Sequence, residues 1–465
     1  MNFAKIDEWV AAFAGAVWGL PLLFLLTGGG LFLLIYSRFL PFRYLKHAIQ
    51  VTRGKYDNPE DPGEISHFQA LTTALSATIG MGNIAGVAVA ITIGGPGAIF
   101  WLWISGLVGM CTKFFTSTLA IMYRGYEPNK EGEERGELQG GPMYFIMEGL
   151  GKSWKPLAIF FSLAGLMGAL PIFNVNQLTQ AISDILLVPN GIEKGMTVNL
   201  TIGIILCLIT SFVILGGLKR ISETAAKLVP TMVVLYMISV FIILGINFEE
   251  VPKYFTMIFT DAFAAENYHG DPFFGGVLGG LILLGIRRGA FSNEAGIGTA
   301  PMAHGAAKTS EPVREGLVAM LGPAIDTLIV CTLTALTILV TGVWEIADKE
   351  GLNGVSLTAA AFDNSMPSIG NYVLLVCIAV FSVSSLFSYS YYGTKCMGFL
   401  FGSENKHYYN YFYLASIIMG AVFPLSVMLN LIDGFFALMA IPTMTATLIM
   451  APRVMKRAKE YFSSL

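Results

Sequence analysis

Runs of Leu, Ile, Val, Phe and Gly without a single charge recur from one end of the chain to the other, separated by shorter segments where Lys, Arg, Asp and Glu collect. Apolar runs of about 20 residues are the units that cross the roughly 30 Å hydrocarbon core as helices. Marking the runs and their breaks predicts eleven spans, at 13–37, 66–93, 97–123, 156–183, 197–217, 228–247, 273–306, 315–342, 371–394, 409–431 and 433–452. An all-α polytopic membrane protein is the expected fold class, with no stretch left over for a soluble domain. The first run, 9–37, has no basic segment before it and is too long for a signal-peptide core, so it reads as a retained span.

Composition agrees with this reading. Of 465 residues, 54% are hydrophobic and 13% charged, about half the charged share of a soluble protein. Mean hydropathy is +0.65. The net charge of -3 comes with no basic tail or aromatic-interleaved basic patch, which sets nucleic acid aside as a partner. Cys111, Cys207, Cys331, Cys377 and Cys396 lie in or beside apolar segments without metal-ligand spacing and read as buried thiols.

Charge also orients the chain. With the N-terminus outside, 23 of the 28 Lys and Arg fall in cytoplasmic loops and the C-terminal tail, and only Lys5, Lys194, Lys253 and Lys349 fall outside. The C-terminus is then cytoplasmic. After the first span, Pro41, Phe42, Tyr44, Leu45 and Ile49 alternate with Arg43, Lys46 and His47, a pattern suited to a helix lying flat at the membrane surface.

Two spans are punctuated by glycine where a lipid anchor would carry Leu or Ile. One reads Ser76-Ala-Thr-Ile-Gly80-Met-Gly82-Asn83-Ile-Ala-Gly86, the other Gly275-Gly276-Val-Leu-Gly279-Gly280, continuing to Gly285 and Gly289. About 200 residues separate them, and each opens a set of five spans that enters from the opposite side. That is the pattern of inverted repeats, 66–272 and 273–465, preceded by an extra segment 1–65, with the first helix of each repeat unwound at mid-membrane. Unwound backbone is tolerated in a bilayer only where it lines a polar cavity, and its free carbonyls and amides can ligate a cation and a zwitterion. The plainer reading is that such glycines let helices pack closely.

The segment Gly94-Gly-Pro-Gly-Ala-Ile-Phe-Trp-Leu-Trp103, followed by Ile104-Ser-Gly-Leu-Val-Gly109, closely resembles the signature of the alanine or glycine:cation symporter family. It departs from it at Leu102, where the family usually has Met, and at Gly106. Gly140-Gly-Pro-Met-Tyr144, Arg288-Gly-Ala-Phe-Ser-Asn-Glu-Ala-Gly296, and Tyr391-Tyr-Gly393 with Phe401-Gly402 are similar to further segments of that family. The resemblance implies a fold like that of the neurotransmitter:sodium symporters with one extra leading helix. It also implies sodium-coupled uptake of small neutral amino acids such as alanine and glycine through a bacterial or archaeal plasma membrane. Carried over by position, the carbonyls of Ser76 and Ile79 become sodium ligands. Thr78, Gly80, Met81, Gly82 and Asn83 then face the substrate, with Gly279 and Gly280 as their counterparts in the second repeat.

Phe381, Ser384 and Ser385 stand at i, i+3 and i+4, which puts a carbonyl and two hydroxyls on one helical face as oxygen ligands for sodium, unless the serines bond back to the preceding turn. Gln177 matches a family Gln in the fourth span and is expected to hydrogen-bond the substrate. Thr179 replaces the usual Asn and Tyr389 the usual Trp, both on helices expected to wall the pocket.

Lys113 and Asp326 are intramembrane charges, functional or paired, with each other as one option. Arg287, Arg288 and Glu294 fall near the expected cytoplasmic end of the seventh span, where the resemblance suggests a gate. No cytoplasmic loop is long enough for an ATPase domain, and Gly151-Lys152-Ser153 lacks the first Gly of a phosphate loop. No catalytic motif favours an enzyme. The alternatives kept open are proton coupling and an ion channel, and no obligate protein partner is inferred.

Overall fold

The computed structural model describes the backbone of residues 3–126, 138–271, 276–423 and 425–465, and nearly all of it is helical. Gly275 and the expected repeat boundary at 272–273 lie outside the described residues. Among the described residues, seven helices are long and apolar enough to cross a membrane, and two bent pairs raise the number to nine. Gly276–Asn293 and the shorter Tyr408–Val422 stand at the chain positions of the expected seventh and tenth spans.

Several boundaries have a local cause. Span 1 is Glu8–Val17 and Leu20–Tyr36, bent by 48° where Gly19 is extended and Pro21 offers no N–H. Span 2 starts at a capping box, Ser66 with Gln69, and runs as His67–Thr78 and Gly82–Gly94 with a 53° bend between them. Spans 3, 5 and 6 are Gly97–Met122, Met196–Ile214 and Gly217–Ile246. Span 4 is one apolar stretch, Lys152–Asn190, interrupted before Ile172 at Pro171. Spans 8 and 9 are Pro312–Val340 and Gly370–Phe401, and span 11 is the 39-residue helix Leu425–Ser463. This last helix outruns the expected 433–452 because its period carries on through the charged turns at Arg453 and Lys456, where one face stays buried by Val454, Ala458 and Tyr461.

Burial sorts the spans into layers. Spans 3 and 8 bury 72% of their most apolar windows, whereas spans 5 and 6 bury only 28% and 33% and so form the lipid-facing side. The surface helices Leu40–Arg43 and Leu45–Thr52 turn Ala48 and Val51 inward and leave Phe42, Leu45 and Ile49 exposed.

The seventh span corrects the sequence reading. It is unbroken from Gly276 to Asn293, across Gly279 and Gly280, and its interruption comes later, at 294–299, before Ala300–His304 resumes. The glycines do the plainer job. A Cβ at Gly285 would lie 2.5 Å from Trp101 Cβ, and one at Gly289 2.6 Å from Ser105 Cβ, so these positions let span 7 press on span 3. Arg287 and Arg288 accordingly lie inside the first half of span 7 and leave the set of loop cations.

Candidate functional site

In span 2 the helix ends at Thr78 because Ile79 turns extended, at φ -75° and ψ 92°. The amides that would have continued the ladder bond elsewhere. Gly80 N donates to Asn83 Oδ1 at 2.9 Å, Met81 N to Asn174 Oδ1 at 3.4 Å, and Asn83 N to Gly80 O at 3.2 Å. Among the described residues no hydrogen bond reaches the carbonyls of Ser76, Thr78 or Ile79. Such carbonyls at a buried half-helix end are cation ligands in waiting. Asn83 is the clip that holds the break, since its Nδ2 donates to Asp326 Oδ1 at 2.6 Å.

The break in span 7 centres on Glu294, which is 1% exposed and left-handed at φ 54°. Gly296 and Gly298 follow at φ 85° and 106°, values that favour glycine. The Glu294 carboxylate accepts hydrogen bonds from the hydroxyls of Thr299 and Tyr389. Two residues earlier, Ser292 Oγ donates to Asp326 Oδ2 at 2.9 Å, and Thr327 Oγ1 donates to the same oxygen at 2.8 Å. Asp326 is fully buried and lies in a π-helical stretch, Ala324–Cys331.

Span 9 faces the first break. Ser384 and Ser385 both donate to the Phe381 carbonyl, at 2.9 and 3.0 Å, so the back-bonding geometry is present. The two then diverge. Ser385 Oγ also lies 3.5 Å from the Ala77 carbonyl and would be 2.8 Å from a Cβ on Gly80, whereas Ser384 Oγ turns to Met232 Sδ at 3.5 Å. Ser76 and Ser388 share a hydroxyl hydrogen bond between spans 2 and 9.

The two breaks meet at a cavity of about 20 Å³. Span 2 lines it with Ala77, Thr78, Gly80, Met81 and Gly82, span 7 with Phe291 and Glu294, span 9 with Tyr389, and span 4 with Asn174 beside Phe173 and Leu170. That space holds about one water, so a larger guest must move a wall. A backbone break with free carbonyls, a helix N-terminus and a buried carboxylate around one small space is suited to a small zwitterion and a cation, both taken from water.

A profile of the sodium:alanine symporter family matches residues 3–465. The chain belongs to this family. It is 38% identical over 463 residues to the sodium/alanine symporter AgcS of Methanococcus maripaludis, covering 99% of this chain and 98% of that one. It is 36% identical over 414 residues to the putative sodium/proton-dependent alanine carrier protein YrbD of Bacillus subtilis, covering 86% and 80%. Among solved structures, MhsT in complex with L-phenylalanine superposes with a TM-score of 0.58 at 12% identity, covering 85% of this chain and 98% of that one, a likeness of fold. The protein is a multi-pass membrane transporter and not an enzyme.

The symporter's sequence-predicted residues divide cleanly. Thr78, Gly80, Met81, Gly82 and Tyr389 line the cavity, and Asn83 supports it from behind. Ser76, Ile79, Phe381 and Ser385 come together at the span 2 break, with Ser384 rotated toward span 6. Gln177 and Thr179 do not reach the cavity. Gln177 donates to Gln180 Oε1 at 3.1 Å, and the buried Thr179 hydroxyl has no partner among the described residues. Gly279 and Gly280 are far from the break, and a Cβ on Gly280 would meet the Tyr268 ring.

Reasoning from sequence missed Asn174, Phe291 and the central position of Glu294. The signal for the last was the polar Ser-Asn-Glu between two apolar runs. Lys113 makes no ion pair within 4 Å among the described residues, so the pairing with Asp326 that the sequence offered as one option is not formed. Arg287 instead pairs with Asp433 and stacks on Trp18, tying span 7 to spans 1 and 11.

A clamp of hydrogen bonds ties the loops before span 2 and after span 7 to the end of span 3. Arg124, just past span 3, donates to the carbonyls of Gly305 and Pro62 at 2.9 Å, of Thr309 at 3.3 Å, and of Ala307. Burial draws its pKa down to about 10, which leaves it charged at neutral pH. Next to the clamp Ile65 bridges Ala307, and Glu315 is held between His67 and His304. A wider cavity of about 270 Å³, touching Glu64, Ser390, Tyr391 and Lys395, begins one residue past Tyr389.

Proposed function

We propose that the protein couples sodium entry to the uptake of small neutral amino acids, alanine and glycine foremost, by alternating access. The observation that carries this reading is the meeting of two interrupted helices at one small cavity that holds Glu294. The substrate carboxylate takes the positive N-terminal end of the half-helix Gly82–Gly94, where the Gly82 amide is exposed by the break. The ammonium group faces Glu294 and the Thr78 carbonyl. Sodium, a hard cation, takes the carbonyls of Ser76, Ile79 and Phe381 with the Ser385 hydroxyl, and Ser384 contributes after a rotamer change. Because the walls must move for any amino acid, each further side-chain atom demands more movement, which favours substrates with a methyl group or less.

Spans 2 and 7, interrupted at 79–81 and 294–299, then head two five-span repeats, 66–272 and 273–465. The excess of Lys and Arg in the expected cytoplasmic loops supports an N-terminus outside and a C-terminus inside a bacterial or archaeal plasma membrane. In that orientation the Arg124 clamp closes the cytoplasmic side, and the 270 Å³ cavity is the vestibule into which substrate leaves.

A second reading, proton coupling, is favoured by Glu294 itself, a buried carboxylate whose hydrogen-bond partners are hydroxyls rather than cations. Scintillation-proximity binding of labelled alanine to the purified protein separates the two. Sodium coupling predicts binding in sodium chloride that is lost in choline chloride at constant pH. Equal binding in both salts, rising as pH falls, supports the proton instead.

A further inference from the structure

On the lipid-facing side, the molecule has a lateral groove of about 690 Å³ that the transport cycle above does not use. Its apolar walls are Leu71 and Leu75 of span 2, Val229 and Val233 of span 6, and Ile325 of span 8. The gap persists because Pro230 stands in the interior of the helix Gly217–Ile246, where it removes a backbone hydrogen bond and presents no long side chain to fill the space. The mouth of the groove is polar. Arg53, at the end of the surface helix Leu45–Thr52, and Asp57 line it together and are both exposed. No ion pair within 4 Å joins them among the described residues, so a cation and an anion are presented side by side to the headgroup layer.

We propose that this groove is a binding site for phosphatidylethanolamine from the leaflet where the surface helix lies. One acyl chain lodges between spans 2, 6 and 8. The guanidinium of Arg53 takes the phosphate, since a planar fork of donors suits phosphate oxygens, and the Asp57 carboxylate takes the primary ammonium. The charge pattern selects the occupant. A phosphatidylglycerol headgroup offers Arg53 the same phosphate but leaves Asp57 without a cation to pair with, and a choline headgroup has no N–H to donate to it. The lodged chain bears on His67–Thr78, the half-helix whose last carbonyls are the sodium ligands of the proposed mechanism, so the lipid sets how readily that half-helix moves.

The test uses the full-length protein. Native mass spectrometry after incubation with phosphatidylethanolamine, phosphatidylglycerol or phosphatidylcholine reads the site without reference to transport, so its outcome is separate from that of the symport reading. The wild type should retain phosphatidylethanolamine severalfold more than the other two. Arg53→Ala and Asp57→Asn should lose that preference, and Val233→Trp, which fills the groove, should lose the lipid while unfolding at a temperature close to wild type. In phosphatidylcholine liposomes, added phosphatidylethanolamine should then raise alanine uptake by the wild type severalfold and leave the three variants flat. Equal retention of all three lipids, or variants that retain phosphatidylethanolamine as the wild type does, overturns the proposal. Preference for phosphatidylglycerol also overturns it, and points to a site for anionic lipid alone.

Discussion

Glu294 is a buried carboxyl whose hydrogen-bond partners are two hydroxyls, and ionising it inside the membrane is costly unless a cation completes the arrangement. Glu294→Gln keeps the shape and removes the charge. A hydrogen bond to a charged group is worth about 1.5–3 kcal/mol, so the half-saturating alanine concentration should rise about tenfold or more. Uptake titrated with alanine checks this, and an unchanged value would place the ammonium elsewhere. Ser384 and Ser385 are separated by a smaller observation, the rotation of one toward Met232 and the other toward Ala77. Ser385→Ala should raise the half-saturating sodium concentration severalfold and Ser384→Ala should do less; the reverse order in a sodium titration would mean that the Ser384 rotamer seen here is not the one that binds the ion. At this scale the sequence was readable where a residue's neighbours along the chain decide its role, as at Gly80, Met81 and Gly82. It was unreadable where rotation about a helix axis decides it. Gln177 and Asn174 are three residues apart on Ile172–Ile182, and only the restart of that helix after Pro171 determines which of them faces Met81.

At the level of elements, both interruptions depend on backbone that will not accept change. At Gly298, φ is 106° and a Cβ would lie 2.5 Å from Thr443 Oγ1. Gly298→Ala should therefore cost about 1–3 kcal/mol of stability, visible as a lower unfolding temperature in detergent; an unaltered temperature would show that this turn is free to readjust. Arg124→Ala removes the donors to four carbonyls that fix the loops after span 7 and before span 2. It should raise the labelling rate of a cysteine placed at Ala306, and no change in labelling would remove the clamp from the gating account. The contrast between the two breaks shows what a sequence pattern can convey. In span 2 the glycines sit where the helix stops, so the pattern and the break coincide. In span 7 Gly285 and Gly289 serve packing against Trp101 and Ser105, and the break belongs to the polar stretch Ser292, Asn293 and Glu294. Glycine marks both close approach and unwinding, and spacing alone does not distinguish the two.

For the molecule as a whole, the membrane architecture was legible because hydrocarbon imposes a length and a polarity on every element it contains. The order of spans followed from charge-free runs. The interior did not, because which faces of spans 2, 4, 7 and 9 converge is settled by packing between helices far apart in the chain, as where span 7 presses on span 3 at Gly285 and Gly289. The central claim, that a sodium gradient drives alanine through the cavity between the two broken helices, is tested most directly in proteoliposomes. Radiolabelled alanine uptake is measured with an inward sodium gradient and no pH difference, then with an inward proton gradient and no sodium, beside Glu294→Gln under both. The account predicts concentrative uptake under the sodium gradient alone, abolished when choline replaces sodium and strongly reduced in Glu294→Gln. Accumulation driven by the proton gradient alone, or sodium-driven uptake untouched by Glu294→Gln, would contradict it.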